Sequence, residues 1–599
     1  MPAALPPITP IDYRPRRWAF ALLVTCTVVG MAALMVAALA GNGFDAWDWA
    51  LTLCFVLTLP WTVIGFWNAV IGLILMRRPP AARSGLDDGD QTAPITLNTG
   101  ILSCIRNESV TTVARNLDRM IAGLTASGHG DHFQIWVLSD SDRPDCLAAE
   151  TAAVERLQRD WAGRLTIGYR RRDRNPGYKA GNIQSFLADQ GRDLDLALVL
   201  DADSLMEARA ILRLVRTMQA NPRLGILQTL VVGLPTASAF ARAFQFGMRL
   251  GMRSYTLGSA WWQGDCGPYW GHNALLRVAP FREHCALPRL PGRPPLGGWV
   301  LSHDQVEAVL MRRAGYAVRV LPTEGGSWEE NPPTLLQFIR RDLRWCQGNM
   351  QYLRLLRLPG LRPVSRVQLV LAILMFLASP AWVALMAILA LRPGLAADPG
   401  ALVDPALGLM LFTLLMVMVF APKLAALTDL LLTPDARCAF GGVGRVLAST
   451  VAEILFFTLL APVMAIAHTL FIGGLVVGRT LGWDPQQRGG HPVGWAEALV
   501  RLWPQTLVGV AALVWLGTTA GAAAFWLSPF FLGALVAVPL AVVSASPRLG
   551  IALTRLGLWR IPEETAPGPL LRSLDLPALA AIRDDPDRRI AAAAAEAVE

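Results

Sequence analysis

The chain has 599 residues, of which 53% are hydrophobic and only 17% charged, a balance too apolar for an ordinary soluble enzyme. Its formal net charge of +9 does not call for nucleic acid, because basic loops beside membrane spans already account for it. Eight cysteines stand singly, without a CxxC or a clustered His/Cys spacing, which excludes a disulfide scaffold and a zinc cluster as readings.

A membrane span needs about 20 predominantly apolar residues. Candidates lie at 18–40, 50–76, 367–391, 406–427, 505–526 and 527–546. The run from Val446 to Val477, interrupted by Ala461-Pro462, reads as two short passes or as one pass plus an interfacial helix. Six to eight spans are expected, and an even number. Arg14, Arg16 and Arg17 precede the first span and Arg77 and Arg78 close the second, while the loop between them, "GNGFDAWDW", is acidic. Lys and Arg concentrate in cytoplasmic loops, so both ends of this hairpin (1–78) are expected in the cytoplasm. The first run shows no small-residue cleavage pattern, which argues against a removable signal. The loops "TPDARCAFGGVGR" and "GRTLGWDPQQRGG" carry arginines and read as cytoplasmic too.

After a Pro/Gly/Asp-rich linker (79–94) comes the one long polar stretch, with a soluble α/β domain expected over 95–333. Segments 133–140, 194–204 and 224–232 read as buried strands, and 109–126, 146–159, 180–190 and 207–219 as helices. Such alternation predicts a doubly wound sheet that binds ligands outside the carboxyl ends of its strands. Asp140 ends one of these strands, and Asp201 and Asp203 end another in "LVLDADS". Two strand-end carboxylates suit a divalent cation shared with substrate phosphates; the same four residues, Asp201 to Ser204, would also make a plain turn. Only Lys179 and Lys423 are lysines among 54 basic residues, so Lys179, in "NPGYKAGN", reads either as a point charge placed beside a phosphate or as a chance survivor. The run "YRRRDRN" (169–175) reads as a solvated basic face, and "SWEENPP" (327–333), with Glu329 and Glu330, as a loop at the domain's edge.

An amphipathic interfacial segment is expected over 334–365, followed by the second membrane region, 366–547, with a candidate gating loop at 479–495. A cytoplasmic tail, 548–599, offers no readable chemistry.

"CIRNES" (104–109), "LSDSD" (138–142), "KAGNIQ" (179–184), "DAD" (201–203), "LSHDQVEA" (301–308) and "RRDLRW" (340–345) stand in the order and spacing of the processive, membrane-integrated family 2 glycosyltransferases, which the chain resembles. More narrowly, "YWGHNALLRVAPFREHCALPRLPG" (269–292), "LSHDQVEAVLMRRAGY" and "RRDLRWCQGN" look like the synthases of osmoregulated periplasmic glucans. Cellulose, hyaluronan and chitin synthases share the general motifs but fit these longer contexts less well. A non-enzymatic transporter with a regulatory domain is the rival from another class.

The resemblance implies a GT-A fold inserted between membrane spans of the bacterial inner membrane, with the domain cytoplasmic. It also implies UDP-glucose as donor, Mg²⁺ or Mn²⁺ as cofactor and a growing β-1,2-linked glucan as acceptor. Acyl carrier protein and a periplasmic protein of the same pathway are implied as further partners. By resemblance, Asn107, Glu108 and Asp140 surround the uridine, Lys179 and Asn182 contact the diphosphate, and Asp201 and Asp203 hold UDP and the metal. Asp304 takes the place of the catalytic base, and Trp270, His272 and Asn273 lie by the acceptor sugar. His303, next to Asp304, invites a reading as its partner in a catalytic dyad; a supporting or structural place is expected instead, because neighbours on one strand point to opposite faces. The family's usual motif Gln-x-x-Arg-Trp is met by Arg344, for the diphosphate, and Trp345, for the acceptor. Arg341 replaces the glutamine, either as a phosphate ligand or paired with Asp342 or another acid. "WDPQQR" (483–488) sits where related synthases have a nucleotide-covering loop.

Overall fold

The structure, a computed structural model, describes residues 12–583 apart from Asn42, 79–85, Asp87, 396–401, 483–491 and 520–521. Two apolar helices open it, α1 (Arg14–Leu39) and α2 (Ala46–Met76). The polar region then runs β1 (Thr99–Ile105), α3 (Val110–Ala126), β2 (Phe133–Ser139), α4 (Pro144–Asp160), β3 (Thr166–Arg171), α5 (Tyr178–Ala188), β4 (Leu196–Asp201), β5 (Leu205–Met206) and α6 (Ala208–Ala220). It continues through β6 (Leu224–Thr229), β7 (Val232–Gly233), α7 (Ala239–Gln263), β8 (Ala274–Arg277), α8 (Val278–His284), α9 (Asp304–Arg313), β9 (Ala317–Leu321) and β10 (Ser327–Glu329). Next come α10 (Leu335–Met350) and α11 (Tyr352–Leu355), then α12 (Pro363–Leu395), α13 (Pro405–Leu432), α14 (Pro434–Ala439), α15 (Val443–Val476), α16 (Trp495–Thr519), α17 (Ala522–Leu535), α18 (Ala537–Ser544) and α19 (Pro547–Leu556).

A seven-stranded sheet, ordered β3-β2-β1-β4-β8-β6-β9, forms the centre of the polar region. Its strands pair in parallel except β8, which runs antiparallel between β4 and β6. Period-two alternation feeds both faces. Ile101 and Ile105 of β1, with Leu196, Leu198 and Leu200 of β4, join Val113, Leu117 and Ile211 in one core. Leu102, Ala197 and Val199 face the other way, onto Ile183 and Phe186 of α5. This second core continues without a break into Leu369, Ile373 and Phe376 of α12, so the sheet is bolted to an apolar helix through ordinary packing. A small sheet, β5-β10-β7, flanks the large one.

Six helices, α1, α2, α12, α13, α15 and α16, are long and apolar enough to cross a membrane, and the chain is a membrane protein of GT-A-like α/β domain plus helical bundle. Two expectations change in detail. The run at 446–477 is one continuous helix, α15, with Pro462 inside it. The expected span at 527–546 instead breaks near Val536 into α17 and α18, bent by 56°, which makes a seventh pass only if the bent pair counts as one. Ion pairs fasten the bundle: Arg392 to Asp48 at 2.5 Å, Arg77 to Asp429 at 2.7 Å and Lys423 to Glu453 at 2.7 Å.

Helix α7 joins the two halves. A Cβ on Gly72 of α2 would stand 1.8 Å from the Ser254 carbonyl oxygen, and one on Gly258 would stand 1.9 Å from that of Asn68. Only glycine lets these backbones approach so closely, as in small-residue seams of membrane helices. The tail is less featureless than its sequence suggests. Arg242 of α7 is buried against Glu564, and Arg249 donates to Glu563 at 3.1 Å, so the segment after α19 clasps α7.

Candidate active site

The parallel strands β1, β2 and β4 finish side by side, with Ile105 opposite Ser139 and Cys104 opposite Asp201. Asn107, Asp140 and Asp201 follow at the same edge, where a doubly wound sheet presents its ligands. Beyond it opens a cavity of about 780 Å³, lined among others by Lys179, Asp201, Asp203, Trp270, His272, Asp304, Arg341, Arg344 and Trp345. The cavity continues between α2, α7 and α12, past Trp61, Asn68, Tyr255, Ser259, Gln368 and Met375.

Lys179 reaches the site because α5 starts with a left-handed Gly177. Four residues on, Gly181 passes so close to the Pro176 carbonyl oxygen that a Cβ would lie 2.0 Å from it. The Lys179 ammonium pairs with Asp201 and donates to the Gly271 carbonyl oxygen at 2.7 Å. Burial works against its charge, yet Asp201 and neighbouring groups raise its pKa above the ordinary lysine value. Asp203 is buried, with Oδ2 accepting from the Glu330 N–H at 3.3 Å.

Asp304 begins α9, after His303 at the helix N-cap. Both residues line the cavity, which corrects the expectation that only one could. They belong to a helix start, where successive side chains diverge by about 100°, and not to a strand. His303 Nδ1 meets Glu307 Oε2 at 2.8 Å, one helical turn on. Burial opposes the imidazolium, but Glu307 lifts the His303 pKa above its ordinary value; burial raises the Glu307 carboxyl likewise.

On α10, Arg341 lies over the Trp345 ring at 4.7 Å and the Phe338 ring at 5.9 Å. Cation–π contact holds its guanidinium against these rings, and Arg341 lines the cavity. Asp342 faces away, its Oδ2 2.5 Å from His468 Nε2 of α15. Trp345 is 47% exposed, a large aromatic face turned to the opening.

Other expected site residues lie elsewhere. Asp140 is held by Arg172 through two hydrogen bonds of 2.8 and 2.7 Å and by Asn182 at 2.7 Å. Burial raises its pKa, against the pull of Arg172. Asn182, itself 1% exposed, also accepts from Arg170 at 2.8 Å, so it braces Asp140 and does not line the cavity. The basic run 169–175 is therefore partly an interior brace and not a wholly solvated face. Asn107, at φ 52°, donates to Asp142 and accepts from the Asp142 and Arg143 N–H groups; with Glu108 it stands beside the β1 end, outside the cavity lining. Asn273 is fully buried, its amide nitrogen donating to Ser327 Oγ at 2.9 Å and the Trp328 carbonyl oxygen at 3.2 Å, and it does not line the cavity.

The reverse correction concerns Glu329. Read as part of an edge loop, it ends strand β10 and lines the cavity, with Oε2 3.3 Å from His272 Nε2. Burial raises its pKa, opposed by His272 and reinforced by Asp203. Strand β10 is only Ser-Trp-Glu, too short and mixed to mark its closing carboxylate in the sequence as the long apolar runs before Asp140 and Asp201 do. Of the candidate covering loop, Leu481 and Gly482 line the cavity, with the Leu481 N–H donating to Gln347 Oε1 at 2.9 Å. "WDPQQR" lies outside the described residues.

Comparison with known proteins agrees with this geometry. The model described as "Glycosyl transferase family 2" matches residues 101–285, and that described as "Glycosyl transferase family group 2" matches 196–424. Glucans biosynthesis glucosyltransferase H of Xylella fastidiosa is 35% identical over 551 residues, covering 90% of this chain and 86% of that protein. Its namesakes in Dickeya dadantii and Pseudomonas aeruginosa are each 36% identical, over 86% and 87% of this chain; the chain spans 62% of the length of each. A mannosyltransferase from Pyrobaculum calidifontis, solved with GDP-Man and Mn²⁺, superposes with a TM-score of 0.42 at 16% identity, over 63% of this chain and 99% of that one, too distant to carry an argument. With the shared motifs gathered around one cavity and a relative matched over most of both lengths, the chain belongs to the glucans biosynthesis glucosyltransferase H family, within glycosyltransferase family 2.

Proposed function

We propose that this protein polymerises glucose from UDP-glucose into a β-glucan, with β-1,2 linkage, and feeds the product across the bacterial inner membrane. The observation that carries the reading is the single cavity in which Asp201, Asp203, Lys179, Asp304, Arg344 and Trp345 meet and which continues between α2, α7 and α12. The sheet domain (95–333) stands on the cytoplasmic side, as supported by Arg14, Arg16, Arg17, Arg77 and Arg78 on the ends of α1 and α2 nearest to it.

Asp304 acts as general base, taking the acceptor hydroxyl proton as that oxygen attacks the anomeric carbon from the face opposite UDP. One displacement inverts the configuration, and no sugar–enzyme intermediate forms. Lys179 and Arg344 meet the negative charge that develops on the leaving diphosphate, already oriented and shielded from bulk water. Trp345 and Trp270 supply aromatic faces for the acceptor sugar, and His272 a polar edge. Asp140, Asn107 and Glu108, at the same sheet edge but outside the cavity lining, take the uridine end of the donor.

Asp201 and Asp203 fit a Mg²⁺ or Mn²⁺ ion, being hard oxygen donors on one cavity wall. No three His, Cys, Asp or Glu side chains among the described residues form a self-contained metal group, so such an ion would share phosphate oxygens, where it supplies charge stabilisation. Acyl carrier protein and a periplasmic partner belong to this proposal through the family alone.

Purified full-length protein in lipid nanodiscs, given labelled UDP-sugars and followed by linkage analysis of the product, tests the reading. A product from UDP-glucose with β-1,2 linkages supports it. Incorporation of another sugar, or no turnover by folded protein that binds UDP, overturns it.

A further inference from the structure

The stripe of α10 that faces α15 reads Leu335, Ile339, Asp342, Cys346, the i, i+4, i+7, i+11 face of a helix. Leu335 packs with Leu460 and Val463 of α15, and Cys346 shares a core with Leu475. Helices α10 and α15 thus lie alongside each other in parallel register. Apolar residues would suffice for such a seam, yet its centre holds a carboxylate. Asp342 and His468 are 16% and 10% exposed at the side chain, and Nε2 stands 2.5 Å from Oδ2. The other ring nitrogen, Nδ1, meets Ser379 Oγ of α12 at 3.0 Å, and the Phe376 ring packs edge-on against the imidazole at 5.2 Å. Both ring nitrogens are therefore engaged, and one imidazole ties three helices together.

Ionisable groups on apolar helices are expensive to bury and are retained where they do something. What this one holds is the rotation of α10 about its own axis. With Asp342 pinned towards α15, Arg341, Arg344 and Trp345 point into the cavity, since they lie on the adjoining faces of the same turn. A second tie, from the Leu481 N–H to Gln347, fixes the same helix five residues further on, again from the α15 side.

We propose that His468 is a positioning residue for the arginine–tryptophan face of α10, acting through Asp342. The proposal rests on the glucosyltransferase reading of that face. Because α15 leads within five residues to Leu481 and Gly482, which border the cavity, the same tie couples α10 to the start of this loop.

Full-length protein in nanodiscs, assayed for kcat and KM with UDP-glucose and for UDP affinity by calorimetry, tests it. His468→Ala is expected to lower kcat about 10- to 100-fold, the scale of a small misplacement of binding groups, with UDP affinity changed less than about threefold. His468→Gln, which keeps a donor at the place of Nε2, is expected to recover most of the loss. His468→Asn, which keeps only the Nδ1 side, is not. Should His468→Ala fail to fold, the apolar pair Asp342→Leu with His468→Leu keeps the seam packed, and a folded but slow enzyme is expected. Wild-type kcat in either variant, or equal activity of the Gln and Asn variants, overturns the proposal. Unchanged turnover in Arg344→Ala and Trp345→Ala would instead remove the reading of the face itself, and the proposal with it.

Discussion

The two walls of the cavity differ in kind. On the sheet side stand titratable groups already engaged with one another: Lys179 with Asp201, His303 with Glu307, His272 with Glu329. Helices α2, α7 and α12 offer Trp61, Asn68, Tyr255, Ser259 and Gln368, with no charged side chain among these five. Fixed charge is strong and directional, which suits the bond-breaking at a diphosphate proposed for this site. Aromatic faces and amides hold a neutral sugar chain without fixing it, which suits the moving product of the proposed function.

That contrast can be broken most severely at Asp304. Asp304→Asn keeps the shape of the sheet-side wall and removes its base, so kcat is expected to fall by about 10²- to 10⁴-fold while UDP binding, measured by calorimetry, survives. Lys179→Ala should strike donor affinity as well as rate, by roughly 100-fold in kcat/KM, because it removes a cation from the diphosphate and leaves Asp201 without this partner. On the helical wall, Trp61→Ala should leave donor KM unchanged and shorten the glucan, as read by mass spectrometry, with kcat reduced less than about tenfold. If Trp61→Ala instead raised donor KM as Lys179→Ala does, the division between the walls would be lost.

The smallest effect concerns pH. The folded pKa of His303 lies above its ordinary 6.5, so its contribution to stability is complete below pH 6.5 and is lost as the pH rises through the folded value. Glu307, raised by burial, adds a decline in the same direction from its ordinary 4.5 upward. The thermal midpoint of the protein should therefore fall as the pH rises from about 4.5 through the folded pKa of His303, and His303→Asn should flatten the part of that slope above pH 6.5.

Much of this was legible in the residues. Strands β2, β4 and β6 and helices α3 to α6 fall where apolar runs and helical periodicity put them, within a few residues. Strand β1, "TGILSCI", is harder to read, since Gly100 and Ser103 interrupt the apolar pattern, and β8 is only four residues long. At the site, Asp201, Asp203, Asp304, Arg344 and Trp345 converge as the motifs suggest. What the sequence hides is partnership at a distance. Nothing local announces that Arg172 will take Asp140, that Asn273 will turn inward to Ser327, or that His468, 126 residues away, will take Asp342. Such pairs are set by tertiary packing, which carries no period and no fixed spacing.

The clasp of Glu563 and Glu564 on α7 bears on how the protein is made. Arg242 leaves the ribosome 322 residues before Glu564. At about 5–20 residues per second it waits roughly 15 to 60 s for its carboxylate. Arg249 finds Glu324 sooner, but its bond to Glu563 must also wait. A guanidinium as deeply buried as that of Arg242 cannot settle without its counter-ion, so α7 docks finally only after the membrane helices have been synthesised. The wall of the cavity that α7 forms is thus completed only after the segment following α19 has emerged.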